Sequence, residues 1–285
     1  MSHLRRIITG DNSFSVYNSI YEEGCHSLTG AVTEAREKFV RPFYLYLQSL
    51  PPVLSVLDIC FGLGNNSFSF LNYFYNKVRQ INITAYEIDT DLLRFLPENK
   101  KFYPRWKGVI DCLAGRRSFK EKGLSLKLLH RDFTADLLNT SAAGKYHFIM
   151  HDPFSPLKCP EQWTAELFKK YYTLLRQGGM VTTYASAKPV RAGMLAAGFA
   201  VRSVPNQASR KEGTMAVKDN NFATDHEITD FYNKTTARIP FRQPPGCSSD
   251  IIKRRRCIIT AWEREKKQLV EERGFLTIKR YLKNS

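Results

Sequence analysis

Apolar residues gather into short runs separated by helix-length amphipathic stretches, an alternation that predicts a doubly wound sheet with helices on both faces. Strands are expected at 53–59, 82–87, 124–130, 147–151, 179–185 and 199–204. Helical periodicity falls at 66–79, 90–95, 161–176 and 188–197, with 100–117 a loop or short helix ahead of the third strand. Residues 1–50 form an N-terminal lead-in, turn-rich around Gly10, Asp11 and Asn12, helix-compatible from Thr29, and closed by Pro51 and Pro52. Past about 220 the sheet pattern stops, Pro240, Pro244, Pro245 and Gly246 mark a loop, and 251–273 reads as a charged helix. The expected fold is α/β, a mostly parallel core at 51–220 flanked by the lead-in and by a basic helical appendage at 221–285.

Composition narrows the function classes. Hydrophobic residues at 43 % and charged residues at 25 % exclude a largely disordered or fibrous chain. Forty-three Lys and Arg against twenty-seven Asp and Glu leave a net +16, which points to a polyanionic partner, nucleic acid first; a merely solvated basic surface is the bland alternative. The excess is partly local, since 253–285 holds eleven Lys and Arg against four Glu. Lys253, Arg254, Arg255 and Arg256 are the main expected phosphate contacts, with Lys100-Lys101, Arg116-Arg117 and Arg210-Lys211 as further clusters and Tyr103 or Trp106 placed to stack bases. Six cysteines, at 25, 60, 112, 159, 247 and 257, match neither a zinc pattern nor a disulfide framework and are read as reduced thiols, with no metal expected. The start lacks a signal-peptide stretch and no apolar run approaches the roughly 18 residues of a spanning helix, so a cytoplasmic protein with no membrane partner is expected. The pattern fixes no oligomeric state.

The sharpest local signal is Leu57-Asp58-Ile59-Cys60-Phe61-Gly62-Leu63-Gly64-Asn65-Asn66, an apolar strand running through a glycine turn into a helix. Gly62 and Gly64 let the backbone approach a ligand closely, and the helix start presents free N–H groups. The three-glycine dinucleotide frame is absent, and an acid such as Asp58 beside the turn suits a cationic methyl donor, S-adenosyl-L-methionine, better than a pyrophosphate. Asp58, Phe61, Gly62, Leu63, Gly64 and Asn66 form the expected cofactor turn. About 25 residues beyond Gly62, Glu87 ends an apolar strand where ribose hydroxyls need an acceptor; Ile88 follows it and Asp89 is the fallback. Asp132 and Phe133, after the third strand, suit the adenine amino group and ring, while an N-cap Asp and a core Phe are the structural alternative.

A buried-strand pattern stops at Asp152-Pro153-Phe154-Ser155-Pro156, which places Asp152 at the carboxyl end of a central strand, where ligands bind in this fold; capping the loop is the alternative role. The segment is similar to the Asp-Pro-Pro-Tyr type of loop in amino-group methyltransferases, so nitrogen is the expected acceptor. Cys25-His26-Ser27-Leu28-Thr29-Gly30-Ala31 with Glu34, the Phe-Gly-Leu-Gly turn, and Asp152 through Thr164 together resemble the methyltransferase domain of the bacterial MnmC family. The likeness continues through Gly178-Gly179, 182–187 and 213–217, covering roughly 10–218. That family usually has Tyr where this chain has Cys25 and Gly where it has Cys60.

The resemblance implies a class I, Rossmann-like tRNA methyltransferase that converts 5-aminomethyl-uridine, or its 2-thio form, to the methylaminomethyl product at the wobble position. It adds Glu34 to the cofactor pocket and His26, Pro153, Phe154 and Ser155 to the acceptor side, with Asp152 catalytic. Neither His26 nor His151 is assigned as the base. No flavin fingerprint occurs beyond 220, so no flavin partner is expected. Two rival readings are a small-amine enzyme of the same fold, such as an aminopropyltransferase, which the +16 charge disfavours, and a non-catalytic RNA-binding module.

Overall fold

The computed structural model describes residues 3–47, 49–205, 212–234 and 239–272. The strands, in chain order, are β1 (Leu4–Ile8), β2 (Phe14–Asn18), β3 (Glu23–Gly24), β4 (Val53–Ile59), β5 (Gln80–Tyr86), β6 (Ser118–Glu121), β7 (Leu124–Leu129), β8 (Tyr146–His151), β9 (Leu175–Thr183), β10 (Ala200–Val204) and β11 (Gly213–Val217). The helices are α1 (Ala31–Glu34), running through a π-helical segment (Ala35–Val40) into α2 (Arg41–Tyr46), then α3 (Asn65–Phe74), α4 (Lys107–Arg116), α5 (Phe133–Asn139), α6 (Ala165–Leu174), α7 (Lys188–Ala196), α8 (His226–Lys234) and α9 (Ile251–Glu272).

Strands β4 and β8 have hardly an exposed position, as a parallel sheet covered on both faces requires. They lie at the centre of an eight-stranded sheet of order β10-β11-β9-β8-β4-β5-β7-β6. Pairing is parallel from β9 through β8, β4 and β5 to β7, and antiparallel where β11 inserts beside β9 and β6 closes the other edge. The chain leaves β4 toward β5 on one side and returns to β8 on the other, so strand order reverses at β4/β8 and a crevice opens at their carboxyl ends.

One apolar cluster fills the face under α2, α3 and α4, where Phe43 stacks on Phe148 at 4.2 Å and Phe70 on Phe74 at 4.5 Å. The other lies under α6 and α7 around fully buried Trp163, Phe168 and Tyr171. A third, of Leu4, Phe14, Val16, Leu63 and Leu92, seats the β1–β3 sheet on the turn after β4. The N-terminal strands thereby become a wall of the crevice.

Strand 53–59 is found as expected, and the other five expected strands shift by one to four residues at an end. The lead-in departs most: it opens with a three-stranded antiparallel sheet, which irregular alternation in Leu-Arg-Arg-Ile-Ile conceals. β6 and β11 fall outside the expected strands: the first is short and largely exposed, and the second, Gly-Thr-Met-Ala-Val, is buried at every position and so shows no alternation. The expected helix at 90–95 is a 3-10 segment, Leu92–Lys101, containing Pro97, which lacks the N–H an α-helix needs there. Lys107–Arg116 is a full helix, and 66–79 stops at Phe74.

The charged C-terminal helix is present, capped by Asp250, whose carboxylate accepts from Lys253 N at 2.9 Å, and docked through Ile258 and Trp262. The thiol reading needs correction at one pair: Cys247 and Cys257 are disulfide-bonded, with Cα atoms 6.4 Å apart. The Pro244–Cys247 turn folds the loop back onto the helix, a proximity that ten residues of sequence hide. Among the described residues Cys25, Cys60, Cys112 and Cys159 are free, and no helix is long and apolar enough to cross a membrane. Arg210 and Lys211, and the part of the basic tail past 272, lie outside the described residues.

Candidate active site

The turn after β4 is held in left-handed backbone. Cys60, Gly62 and Gly64 take φ of 63°, 54° and 78°. Gly64 must be glycine, because a Cβ there would lie 2.5 Å from the Phe68 ring and 2.6 Å from that of Phe61. Cys60 adopts the same region with a side chain, at a cost of about 1–2 kcal/mol, so the missing first glycine leaves the tight turn intact. Phe61 and Leu63 are buried, and they shape the turn from behind rather than line the crevice. Asp58 also sits behind it, fully buried, with Oδ2 accepting from Ser67 Oγ at 2.5 Å and Oδ1 without a partner. Burial pushes this carboxyl up to about 7.

At the end of β5, Glu87 faces the turn. Its Oε2 accepts from Gly62 N at 2.8 Å and its Oε1 from Asp89 N at 2.8 Å, while burial outweighs these bonds and lifts it to about 7. Asp89 stands at the rim, 3.0 Å from His3 Nε2. At the end of β8, Asp152 Oδ2 accepts from Asn66 Nδ2 at 2.9 Å, so Asn66 braces the acid instead of opening on the cleft. Burial, then the nearby Glu34 charge, hold the Asp152 carboxyl well above the usual range.

These three strand ends surround a cleft of about 1130 Å³. Its lining includes the carboxylates of Glu23, Glu34, Glu87, Asp89, Asp91, Asp152 and Glu212, against Lys38 as the one lysine among the described lining residues. The arrangement fits a ligand bearing an ammonium and a sulfonium: carboxylates offset the cations, Glu87 can accept from hydroxyls, and buried Asp58 Oδ1 and Asn66 Oδ1 keep negative potential behind the turn. Glu34 is engaged twice, accepting from Ser27 N at 2.7 Å and from Lys38 Nζ at 2.9 Å.

Of the expected site residues, His26, Glu34, Gly62, Glu87, Ile88, Asp152, Pro153 and Phe154 come together around the cleft. Asp132 and Phe133 do not: Asp132 caps α5, accepting from Thr134 N at 2.8 Å, and Phe133 is core, so the capping alternative holds. Ser155 contributes its N–H, donated to Glu23 at 2.9 Å, and does not line the cleft. His26 has both ring nitrogens occupied: Asn65 Nδ2 donates to Nε2, so Nδ1 carries the proton toward Ser15 Oγ at 2.9 Å, and burial depresses it to about 4. His151 points away from the cleft to Tyr171. Of the basic run, Lys253 and Arg256 are exposed and Arg254 donates to the carbonyls of Ser248 and Ser249, but Arg255 is turned inward onto Glu161. That pairing sets Arg255 apart from the outward-facing cations of the run. Sequence reading missed Lys38, Tyr21 and Glu23, and left Tyr184 unassigned. Only Lys38 had a signal, its i,i+4 spacing from Glu34.

Residues 97–219 match a family described as S-adenosyl-L-methionine-dependent methyltransferase. An uncharacterised protein of Methanocaldococcus jannaschii is 29 % identical over 75 % of this chain and 59 % of its own length. The bifunctional protein MnmC of Campylobacter hominis, of tRNA 5-methylaminomethyl-2-thiouridine biosynthesis, is 26 % identical over 62 % of this chain. This chain spans only 27 % of that relative's length. The crystal structure of MNMC2 from Aquifex aeolicus superposes with a TM-score of 0.74 at 23 % identity, covering 94 % of this chain and 86 % of the other, and so shares the fold. With the strand-end acids and the glycine turn around one cleft, the chain is an S-adenosyl-L-methionine-dependent methyltransferase, similar in sequence and fold to the MnmC proteins.

Proposed function

We propose that the chain methylates the aminomethyl nitrogen of a modified wobble uridine in tRNA, turning 5-aminomethyl-(2-thio)uridine into 5-methylaminomethyl-(2-thio)uridine, in the cytoplasm. The observation that carries this reading is Asp152, a carboxyl of raised proton affinity facing an acid-lined cleft at the end of β8. The pathway named in the MnmC relatives supplies the acceptor. The same reading takes 51–220 as the catalytic core, 1–50 as a lead-in closing the cleft, and 221–285 as a basic appendage.

When bound, S-adenosyl-L-methionine supplies an electrophilic methyl group. Asp152 has two tasks. It orients the amine, and it takes the proton that an alkylammonium must lose before nitrogen has a lone pair; raised proton affinity brings its basicity closer to that task. Asn66, bonded to Oδ2, fixes the carboxyl plane. Glu87 and the Gly62 turn hold the hydroxyl end of the donor, and Glu34, steadied by Lys38, adds negative charge beside Asp152. Pro153 and Phe154 form the acceptor wall, fixed by Tyr184, whose hydroxyl donates to Pro153 O at 2.9 Å.

The test is transfer of labelled methyl from S-adenosyl-L-methionine to tRNA from cells lacking this enzyme, followed by nucleoside mass analysis. A methylaminomethyl-uridine product is expected. No incorporation into tRNA, with incorporation into free amines instead, would overturn the tRNA reading and favour the small-amine one.

A further inference from the structure

Arg255 lies in a basic run yet behaves unlike its neighbours. Its guanidinium turns toward the acceptor loop: Nη2 lies 2.9 Å and Nε 3.0 Å from Glu161 Oε1, and Nη2 donates to the Tyr21 hydroxyl at 3.1 Å. The same guanidinium stands 4.9 Å over the Tyr21 ring. Tyr21 stacks on Phe154 at 4.2 Å with an interplanar angle of 18°, and both line the cleft. The Phe154 carbonyl accepts from Trp163 Nε1 at 2.9 Å, and Phe154 is two residues from Asp152. A continuous set of contacts therefore runs from α9 to the acceptor loop.

The pairing is well shielded. The Glu161 side chain is 2 % exposed, against 21 % for Arg255. Reaching Glu161 Oε1 and the Tyr21 hydroxyl together suits the planar fork of arginine, since one lysine ammonium is a point donor on a flexible stem; the buried Glu161 Oε2 has no partner. Those donors are spent inward, while Lys253 and Arg256 present their charge outward on the same helix. Nε and Nη2 of Arg255 are thereby committed to the acceptor side of the helix.

We propose that Arg255 is a positioning residue that latches the basic helix α9 to the Tyr21–Phe154 wall, so that the surface where a polyanion docks and the wall that receives the acceptor base move as one unit. The proposal deepens the tRNA reading and rests on it for the identity of the polyanion. Arg255 itself contacts neither acceptor nor donor.

Two conservative variants, R255K and Y21F, test it alongside K253Q/R256Q. Each is checked for folding by its melting temperature, then followed by amide hydrogen exchange over 153–163 and by steady-state methyl transfer with tRNA varied. In R255K and Y21F we expect faster exchange across the loop, S-adenosyl-L-methionine affinity within about twofold of the parent, and a kcat lower by about tenfold with KM for tRNA moved less than about threefold. The double variant R255K/Y21F should be no worse than the poorer single one, because both break the same path. K253Q/R256Q should instead raise KM for tRNA and leave loop exchange alone. Unaltered loop exchange in both R255K and Y21F overturns the latch, whatever the activity. So does a pattern of raised KM with parental kcat, which would make Arg255 a phosphate contact. If the parent enzyme transfers no methyl to tRNA, the tRNA reading fails, and the exchange measurement still decides whether the latch exists.

Discussion

The cleft and helix α9 carry opposite charge within one chain of net +16. Among the described residues the cleft gathers seven lining carboxylates around one lysine, two of them from the lead-in (Glu23, Glu34) and two at strand ends (Glu87, Asp152). Helix α9 places Lys253 and Arg256 on an exposed face and keeps Arg255 inside. The contrast shows that net charge describes the outer field, which attracts a polyanion over a distance of about a Debye length, some 8 Å at physiological salt. It says nothing of the charges that line a cavity, whose potential is set by the groups nearest to it. The use of +16 to disfavour a cationic substrate therefore fails for this cleft, which is acidic, and the methyl-transfer assay with tRNA and free amines decides between the two acceptors.

The largest effect should come from removing the acid at the centre of the cleft. Asp152→Ala is expected to lower kcat for methyl transfer by about a hundredfold or more, the usual worth of a general base, and near-parental turnover would strip Asp152 of its role. Equilibrium binding of S-adenosyl-L-methionine, measured beside it, separates lost chemistry from a lost site.

Next in size is the pH response of the acidic side. Folded Asp58 and Glu87 are raised to about 7 from 3.8 and 4.5, so the folded protein holds protons that the unfolded chain has released. Stability of the donor-free protein is thus full below about pH 4 and declines as pH climbs toward 7, by on the order of 3 kcal/mol for a fully buried group. Donor affinity should move oppositely: a cationic ligand favours the ionised carboxyls, so affinity rises through pH 7 by up to about tenfold per unit and levels off above. Urea midpoints and calorimetric titrations from pH 5 to 9 check both slopes. Asp58→Asn should lessen the stability slope and leave the part due to Glu87, because an amide oxygen can keep the Ser67 bond and position 58 no longer titrates.

What the sequence disclosed follows the same division. The turn after β4 was legible because strand, glycines and helix are contiguous, and Asp152 because Asp-Pro ends an apolar run. Glu87 needed only the spacing of a doubly wound sheet. Tyr21 and Glu23 reach the cleft from a small sheet whose irregular alternation hid it, so no local pattern marked them. Asp132 looked like an adenine contact and is a helix cap, two roles that the same residue before a helix satisfies equally in sequence. Arg255 was indistinguishable from Lys253, Arg254 and Arg256, because which member of a basic run faces inward depends on where Glu161, far away in the chain, is delivered.

The smallest expected effect sits on the basic side and sharpens the comparison most. Each cation that meets a phosphate displaces about 0.7 to 0.9 of a counterion, so K253Q/R256Q should reduce the slope of log affinity for tRNA against log salt by roughly 1.5. The accompanying loss in affinity near physiological salt should be only several-fold, since two exposed cations are a small part of the total charge. Donor affinity, governed by the cleft, should not follow. Filter binding of tRNA across 50 to 300 mM salt, about the range where screening changes most, gives the slope. A slope equal to that of the parent would remove α9 from the interface and leave Lys100, Lys101, Arg116 and Arg117 as the described cations to test next. A donor affinity that falls with the tRNA affinity would mean that the two charge regions are not separable, and the contrast between them would have to be abandoned.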